Sequence, residues 1–116
     1  MRRKKASLEK DLLKEVKKLL DIFKSKGVLS YRRIHVMPVM RGGKMSMNKD
    51  MAGIEDIQLY LPGGVTLMWE LKKKGGKQSP AQLLRESELL RLGHRYYVIQ
   101  SLSQSIEILS FYGVQL

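Results

Sequence analysis

The stretch that most constrains this chain runs from Gly53 to Lys72, Gly-Ile-Glu-Asp-Ile-Gln-Leu-Tyr-Leu-Pro-Gly-Gly-Val-Thr-Leu-Met-Trp-Glu-Leu-Lys. Ile54 to Leu61 and Val65 to Lys72 are rich in leucine, β-branched and aromatic residues. Pro62-Gly63-Gly64 separates them, so the stretch reads as a β-hairpin. Side chains alternate along a strand. Val65, Leu67, Trp69 and Leu71 therefore share an apolar face, and Thr66, Met68, Glu70 and Lys72 share the other. If residues 62 to 64 form a three-residue loop, Asp56 stands across from Glu70, with Cβ atoms about 5 Å apart. A slip of one residue would undo that pairing. Two carboxylates so close are costly to ionise together. Lys72 offsets part of that cost. A divalent cation would offset more, since oxygen ligands are what magnesium prefers. A lone Glu-X-Lys on a strand is usually a solvated pair; Asp56 in register is what sets this one apart.

The remaining elements follow from caps and periodicity. Ser7 can cap a helix from about Leu8 to Lys26, ended by Gly27. Leu8, Leu12, Leu13, Val16, Leu19, Leu20 and Phe23 form one stripe at about 100° per residue. Glu9 falls inside this stripe, Glu15 on its rim, and Asp11 and Asp21 well outside. An acid inside an apolar stripe needs a partner or a metal, unless it simply reaches water at the helix end. Tyr31 to Met40 reads as a strand, with Pro38 marking an edge or a break. Arg41 to Ala52 reads as a mobile loop made positive by Arg41, Lys44 and Lys49. Ser79 and Pro80 open a second helix that ends at Gly93, with Gln82 in its first turn. Arg95 to Ser101 reads as a further strand, and Ser103 can cap a last helix to about Phe111. The order is helix, three strands, helix, strand, helix, an α+β fold with a mixed four-stranded sheet flanked by helices.

Gly53-Ile54-Glu55-Asp56, Trp69-Glu70-Leu71-Lys72, Gly76-Lys77-Gln78-Ser79-Pro80-Ala81-Gln82, Gly93 and Tyr97-Val98-Ile99, in this order and spacing, resemble the PD-(D/E)XK nuclease superfamily. The likeness is to its small VRR-Nuc branch, and it is weakest from Tyr31 to Ala52. One departure is that Glu55 stands where the family has Pro. The resemblance implies a restriction-endonuclease-like core of order αβββαβα, as a single nuclease domain over 1–116 with residues 1–6 as a basic tail. It implies a Mg- or Mn-dependent deoxyribonuclease, an endonuclease rather than an exonuclease, acting on structured or branched DNA. By the same likeness Asp56, Glu70 and the Leu71 backbone carbonyl bind the metal, and Lys72 acts on the water and the phosphoryl group. Glu9 matches the family's helix glutamate at the metal, with Glu15 in reserve. Gln82 lies near the catalytic lysine and the nucleic-acid backbone. A homodimer and a cytoplasmic protein of the stand-alone, phage-encoded type are also implied.

Composition limits the alternatives. A chain of 116 residues has room for one core. With no cysteine, disulfides and thiolate zinc sites are excluded. His35 and His94 lack metal-motif spacing. No apolar run has the length of a membrane span and no signal-peptide pattern opens the chain. The net charge of +11 favours a polyanionic partner, DNA above all. Arg2, Arg3, Lys4 and Lys5 at the start, and Lys73, Lys74 and Lys77 after the hairpin, suit phosphate contact. So do Arg41 and Lys44. Gly76-Lys77 is no phosphate loop, because Leu71 and Gln78 stand where that motif needs Gly and Ser or Thr. No small-molecule cofactor is expected. The rival reading is a non-catalytic DNA-binding module on the same fold. A membrane-surface protein fits less well, since the apolar stripe of the first helix is needed for the core.

Overall fold

Glycine-containing turns and two serine caps divide the chain into its elements. The computed structural model describes residues 5–35, 39–46 and 51–116. Helix α1 (Lys5–Ser25) is followed by strands β1 (Ser30–Arg33), β2 (Val39–Arg41), β3 (Lys44–Ser46), β4 (Ile57–Leu61) and β5 (Val65–Leu71). Then come α2 (Pro80–Arg91), β6 (Arg95–Ile99) and α3 (Leu102–Phe111). The main sheet has the order β1-β4-β5-β6, with β4 antiparallel to β1 and β5, and β6 parallel to β5. A mixed sheet flanked by helices is the expected class.

The hairpin register is the expected one. Ile57 pairs with Trp69, Leu59 with Leu67 and Leu61 with Val65 around a single 3₁₀ turn at Pro62–Gly64. Gly63 has φ 79°, a left-handed conformation that a side chain would oppose. Directly paired residues share a face, so Ile57, Leu59, Leu61, Leu67, Trp69, Leu71 and Ile99 form one continuous apolar surface. Leu12, Val16, Leu19, Leu20 and Phe23 of α1 and Leu109 of α3 close over it. The stripe of α1 is as expected except at Leu8, which is 39% exposed and lines a hollow with Lys73 and Leu102. Helix α2 packs on β6 from the other side, where Tyr96 and Leu89 are buried.

Several boundaries differ from the sequence reading. Helix α1 begins at Lys5, so Ser7 lies within it and is not its cap. Nothing in Lys5-Ala6 stops a helix, since both residues are good helix formers. Of the basic tail, residues 1–4 lie outside the described residues, as do 36–38 with Pro38 and 47–50 with Lys49. The strand expected over Tyr31 to Met40 is two strands. The segment read as a loop contains a hairpin, with Arg41 paired to Lys44 across Gly42-Gly43. Both glycines have positive φ, 56° and 77°, as a type I′ two-residue turn requires. A Gly-Gly between Val-Met-Arg and Lys-Met-Ser is a legible hairpin signal, masked here by the surrounding basic and methionine residues. The first hairpin strand starts at Ile57 rather than Ile54, after a turn at Gly53 with φ +75°. A Cβ on Gly53 would run into the carbonyl oxygen of Ala81, so this turn lies directly against the start of α2.

Helix α2 is capped by Ser79 as expected, in a full capping box. Ser79 Oγ accepts from the Gln82 N–H at 3.2 Å, and Gln82 Oε1 accepts from the Ser79 N–H at 2.8 Å. Its C-terminus is at Arg91, just before Gly93. The cap of α3 is Ser101 rather than Ser103: its Oγ accepts from the Gln104 N–H at 3.1 Å. Gln104 returns Oε1 to the Gln100 N–H, so the cap is set two residues earlier than the nearest Ser to the apolar run suggested.

Candidate active site

Strand β4 ends its pairing at Ile57, and Asp56 sits just beyond. Its N–H donates to the Trp69 carbonyl at 3.0 Å and its carbonyl accepts from Ile34 N–H at 2.8 Å, so the backbone is held from both neighbours. Its carboxylate turns to the backbone and Oδ2 accepts from the Leu71 N–H at 2.7 Å. Burial pushes the Asp56 carboxyl above its ordinary range, against the Leu71 N–H and the Lys72 charge. The charge of Glu9 pushes the same way as burial, and Arg33 opposes it.

Asp56 opens onto a cleft of about 240 Å³ between α1 and the end of the sheet. Glu9, Lys10, Leu13, Arg33 and Leu71 complete its lining. Glu9 comes from the apolar stripe of α1 near its start and is half-buried. Glu15 lies elsewhere, in a separate hollow with Asp11, Lys73 and Lys74. The helix face thus puts Glu9, and not Glu15, beside Asp56. Two cations there, Lys10 and Arg33, escaped the sequence reading. Arg33 is legible only once β1 is registered on β4, where it pairs with Ile57, one residue from Asp56.

Glu70 is adjacent along the sheet but on the α2 side. It is fully buried. Tyr96 Oη donates to Glu70 Oε1 at 3.1 Å, while Oε2 has no hydrogen-bond partner. Gln78 lies close enough to favour the charged carboxylate, yet its Nε2 is buried and makes no well-formed hydrogen bond. Burial raises the Glu70 pKa; Tyr96, Lys72 and Gln78 oppose that, and the charge of Asp56 adds to it. Lys72 therefore acts electrostatically on both carboxylates. Its own N–H donates to the Ile99 carbonyl at 2.9 Å, which carries the β5–β6 ladder one residue further and anchors its backbone. Burial and the neighbouring Glu70 hold the Tyr96 phenol well above its usual range, so it stays a donor.

The site residues named from the sequence are thus brought together unevenly. Asp56, Glu9 and Leu71 share the cleft, and Glu70 and Lys72 lie near enough to Asp56 to interact with it electrostatically. Among the described residues, no three His, Cys, Asp or Glu side chains lie close enough together to hold a metal ion. Gln82 spends its Oε1 on the helix cap. Lys73 and Lys74 line the same hollow as Asp11 and Glu15. Lys77 is exposed at a hollow of about 460 Å³ with Gln78, Leu83 and Gln100. Lys44 is exposed beside the Gly42-Gly43 turn, and of Arg41 only the backbone is described.

A buried ion pair was not anticipated. Glu55, fully buried, accepts from Arg85 Nε of α2 at 3.1 Å and from Gln58 Nε2 at 2.9 Å. Burial would raise its pKa, but the Arg85 and Gln58 hydrogen bonds outweigh burial and hold it below the usual range. The one signal in the sequence was the acid at the position before Asp56.

The donor set suits a hard cation. Asp56 and Glu70 are both disfavoured in the charged form by burial, and Glu70 Oε2 is buried without a donor. A magnesium ion commonly takes one or two protein carboxylates and keeps waters in its remaining positions.

No family model and no curated protein matches this sequence. Among solved structures, a VRR_NUC domain superposes with a TM-score of 0.63 at 21% identity, over 90% of this chain and 97% of that one. No helix among the described residues is long and apolar enough to cross a membrane. The extent of that superposition, together with the mixed four-stranded sheet and its flanking helices, shows that this chain has the fold of a VRR_NUC domain.

Proposed function

We propose that the protein is a metal-dependent nuclease that hydrolyses phosphodiester bonds in DNA, structured or branched DNA in particular, as an endonuclease. The observation that carries this reading is the cleft where Asp56 and Glu9 meet beside Lys10 and Arg33, with Lys72 acting on Asp56 and Glu70 together. Acids that can hold a cation stand next to cations that can hold a phosphate. Asp56, Glu70, the Leu71 carbonyl and Glu9 would hold Mg²⁺ or Mn²⁺. When bound, the ion supplies a more acidic water and charge neutralisation at the phosphoryl oxygens.

The chain's own groups do the rest. The Leu71 N–H fixes the Asp56 carboxylate at Oδ2, so the direction of Oδ1 is set before substrate arrives. Lys72 Nζ positions the attacking water, or helps the metal to make it acidic through its own charge, and stabilises charge developing on the phosphoryl oxygens. Lys10 and Arg33 extend the positive wall of the cleft toward the backbone phosphates. Lys77, Lys73, Lys74, Arg41, Lys44 and the free end of Gln82 add phosphate contacts farther out. The net charge of +11 supports steep salt dependence of DNA binding with little sequence preference. Homodimerisation, with two such clefts on one substrate, completes the reading. A second reading, a non-catalytic DNA-binding module, draws support from the complete burial of Glu70.

Labelled duplex, flap, nicked and four-way DNA incubated with Mg²⁺ or Mn²⁺ separates the two. Cleavage that requires the metal and is lost in Asp56→Asn supports the nuclease. Salt-sensitive binding of every substrate with cleavage of none leaves the binding module.

A further inference from the structure

The Glu70 carboxylate has one oxygen bonded and one bare, and both are buried. A buried carboxylate oxygen without a donor costs about 1–3 kcal/mol or more, so such an arrangement is uncommon without a use. The donor on Oε1 comes from a different strand. Tyr96 of β6 pairs with Met68, two residues before Glu70, and so lies on the same face, diagonal to Glu70. That offset suits the length of a phenol, and Tyr96 is only 5% exposed. Gln78 Nε2, the other nearby donor, forms no hydrogen bond. Among the described residues, Tyr96 makes the well-formed hydrogen bond to the Glu70 carboxyl, while Gln78 and Lys72 act on it from nearby.

We propose that Tyr96 is a positioning residue for Glu70: its hydroxyl occupies Oε1 and thereby presents Oε2 as the single oxygen offered to a divalent cation. This rests on the reading of Glu70 as a ligand. Groups that hydrogen-bond a ligating carboxylate set its orientation, and their loss typically weakens metal affinity about 10- to 100-fold. A tyrosine that only satisfied a buried acid would affect folding stability and leave metal affinity alone.

The test is Mn²⁺ titration by calorimetry without DNA, on the unmodified protein, Tyr96→Phe and Glu70→Gln, with melting temperatures recorded with and without Mn²⁺. Tyr96→Phe keeps the ring that packs under α2 and removes only the hydroxyl. The expected result is Mn²⁺ affinity about 10-fold weaker or more, with a smaller Mn²⁺-induced rise in melting temperature. Unchanged affinity in Tyr96→Phe, alongside loss in Glu70→Gln, overturns the proposal and leaves Glu70 as a ligand. Unchanged affinity in Glu70→Gln removes Glu70 from the ligand set, and the Tyr96 proposal with it. Should Tyr96→Phe not fold, fluorotyrosine at position 96 keeps the shape and strengthens donation. A several-fold change in Mn²⁺ affinity then supports the proposal, and an affinity equal to that of the unmodified protein overturns it.

Discussion

The two faces of the main sheet are built from alternate residues of the same strands, yet they follow different rules. Under α1 and α3 lie Ile57, Leu59, Leu67, Trp69 and Ile99, all fully buried, with the Trp69 indole nitrogen as the one partnerless polar atom among them. Toward α2 lie two polar groups: Glu55, which accepts from Arg85 and Gln58, and Glu70, which accepts from Tyr96. The first face stabilises through area removed from water. The second holds charge out of water, which is costly unless every group is paired. Glu55 is paired and Glu70 only half so. The contrast teaches that one face of the sheet is held by apolar burial and the other by paired polar groups, with the Asp56 cleft at the sheet end beside α1.

The strongest way to break this comparison is at the chemistry. Asp56→Asn, Glu70→Gln and Lys72→Ala are expected to lower the rate of DNA cleavage by on the order of 10² or more. Glu15→Gln, in its separate hollow, should cleave like the unmodified protein. Equal rates in all four variants would reduce Asp56, Glu70 and Lys72 to structural polar groups.

Substitutions on the apolar face come next. Trp69→Ala or Leu59→Ala should destabilise by about 2–5 kcal/mol, read by urea unfolding, because nothing can move in to fill the space. A loss under about 1 kcal/mol would mean that this face collapses readily around a cavity.

The paired acid gives a smaller effect with a sharper diagnosis. Arg85→Met leaves Glu55 buried without its cation and should cost about 1–3 kcal/mol, moderated because Arg85 is 33% exposed. Replacing both partners, Glu55→Leu with Arg85→Met, should recover most of that loss. A double variant as unstable as the sum of the singles would show that the pair has no coupling.

The smallest effects are in the pH dependence, and the two acids should move oppositely. The Glu55 pKa is depressed below its ordinary 4.5 in the fold. It therefore contributes stability that is complete above 4.5 and lost as pH falls through the lower folded value. Asp56 and Glu70 are raised in the fold, so their ionised forms oppose folding at neutral pH. That opposition is relieved as pH falls through their raised pKa values toward the unfolded ones. Glu70→Gln should accordingly melt higher than the unmodified protein at pH 7 without metal, and the gap should close on acidification. Glu55→Gln should melt lower at pH 7, with the difference shrinking below pH 4.5. A Glu70→Gln protein that melts lower at pH 7 would show that the carboxylate is held favourably.

Local patterns determined much of this protein. The hairpin register around Pro62-Gly63-Gly64, the apolar face of β5, the stripe of α1 and the Ser79 cap all depend on neighbours a few residues apart, and sequence spacing carries that information. The likeness carried by Gly53 to Tyr97 agrees with the fold found over 90% of the chain. Tertiary structure alone decided which acid of α1 meets Asp56, because a helix stripe has a rim and only packing sets its rotation. It also decided that Asp56 turns to the Leu71 N–H, that Arg33 reaches the cleft, and that Tyr96 and Arg85 clasp Glu70 and Glu55 from 26 and 30 residues away. Burial and hydrogen-bond partners of charged groups depend on elements distant in the chain, and no periodicity in the sequence records them.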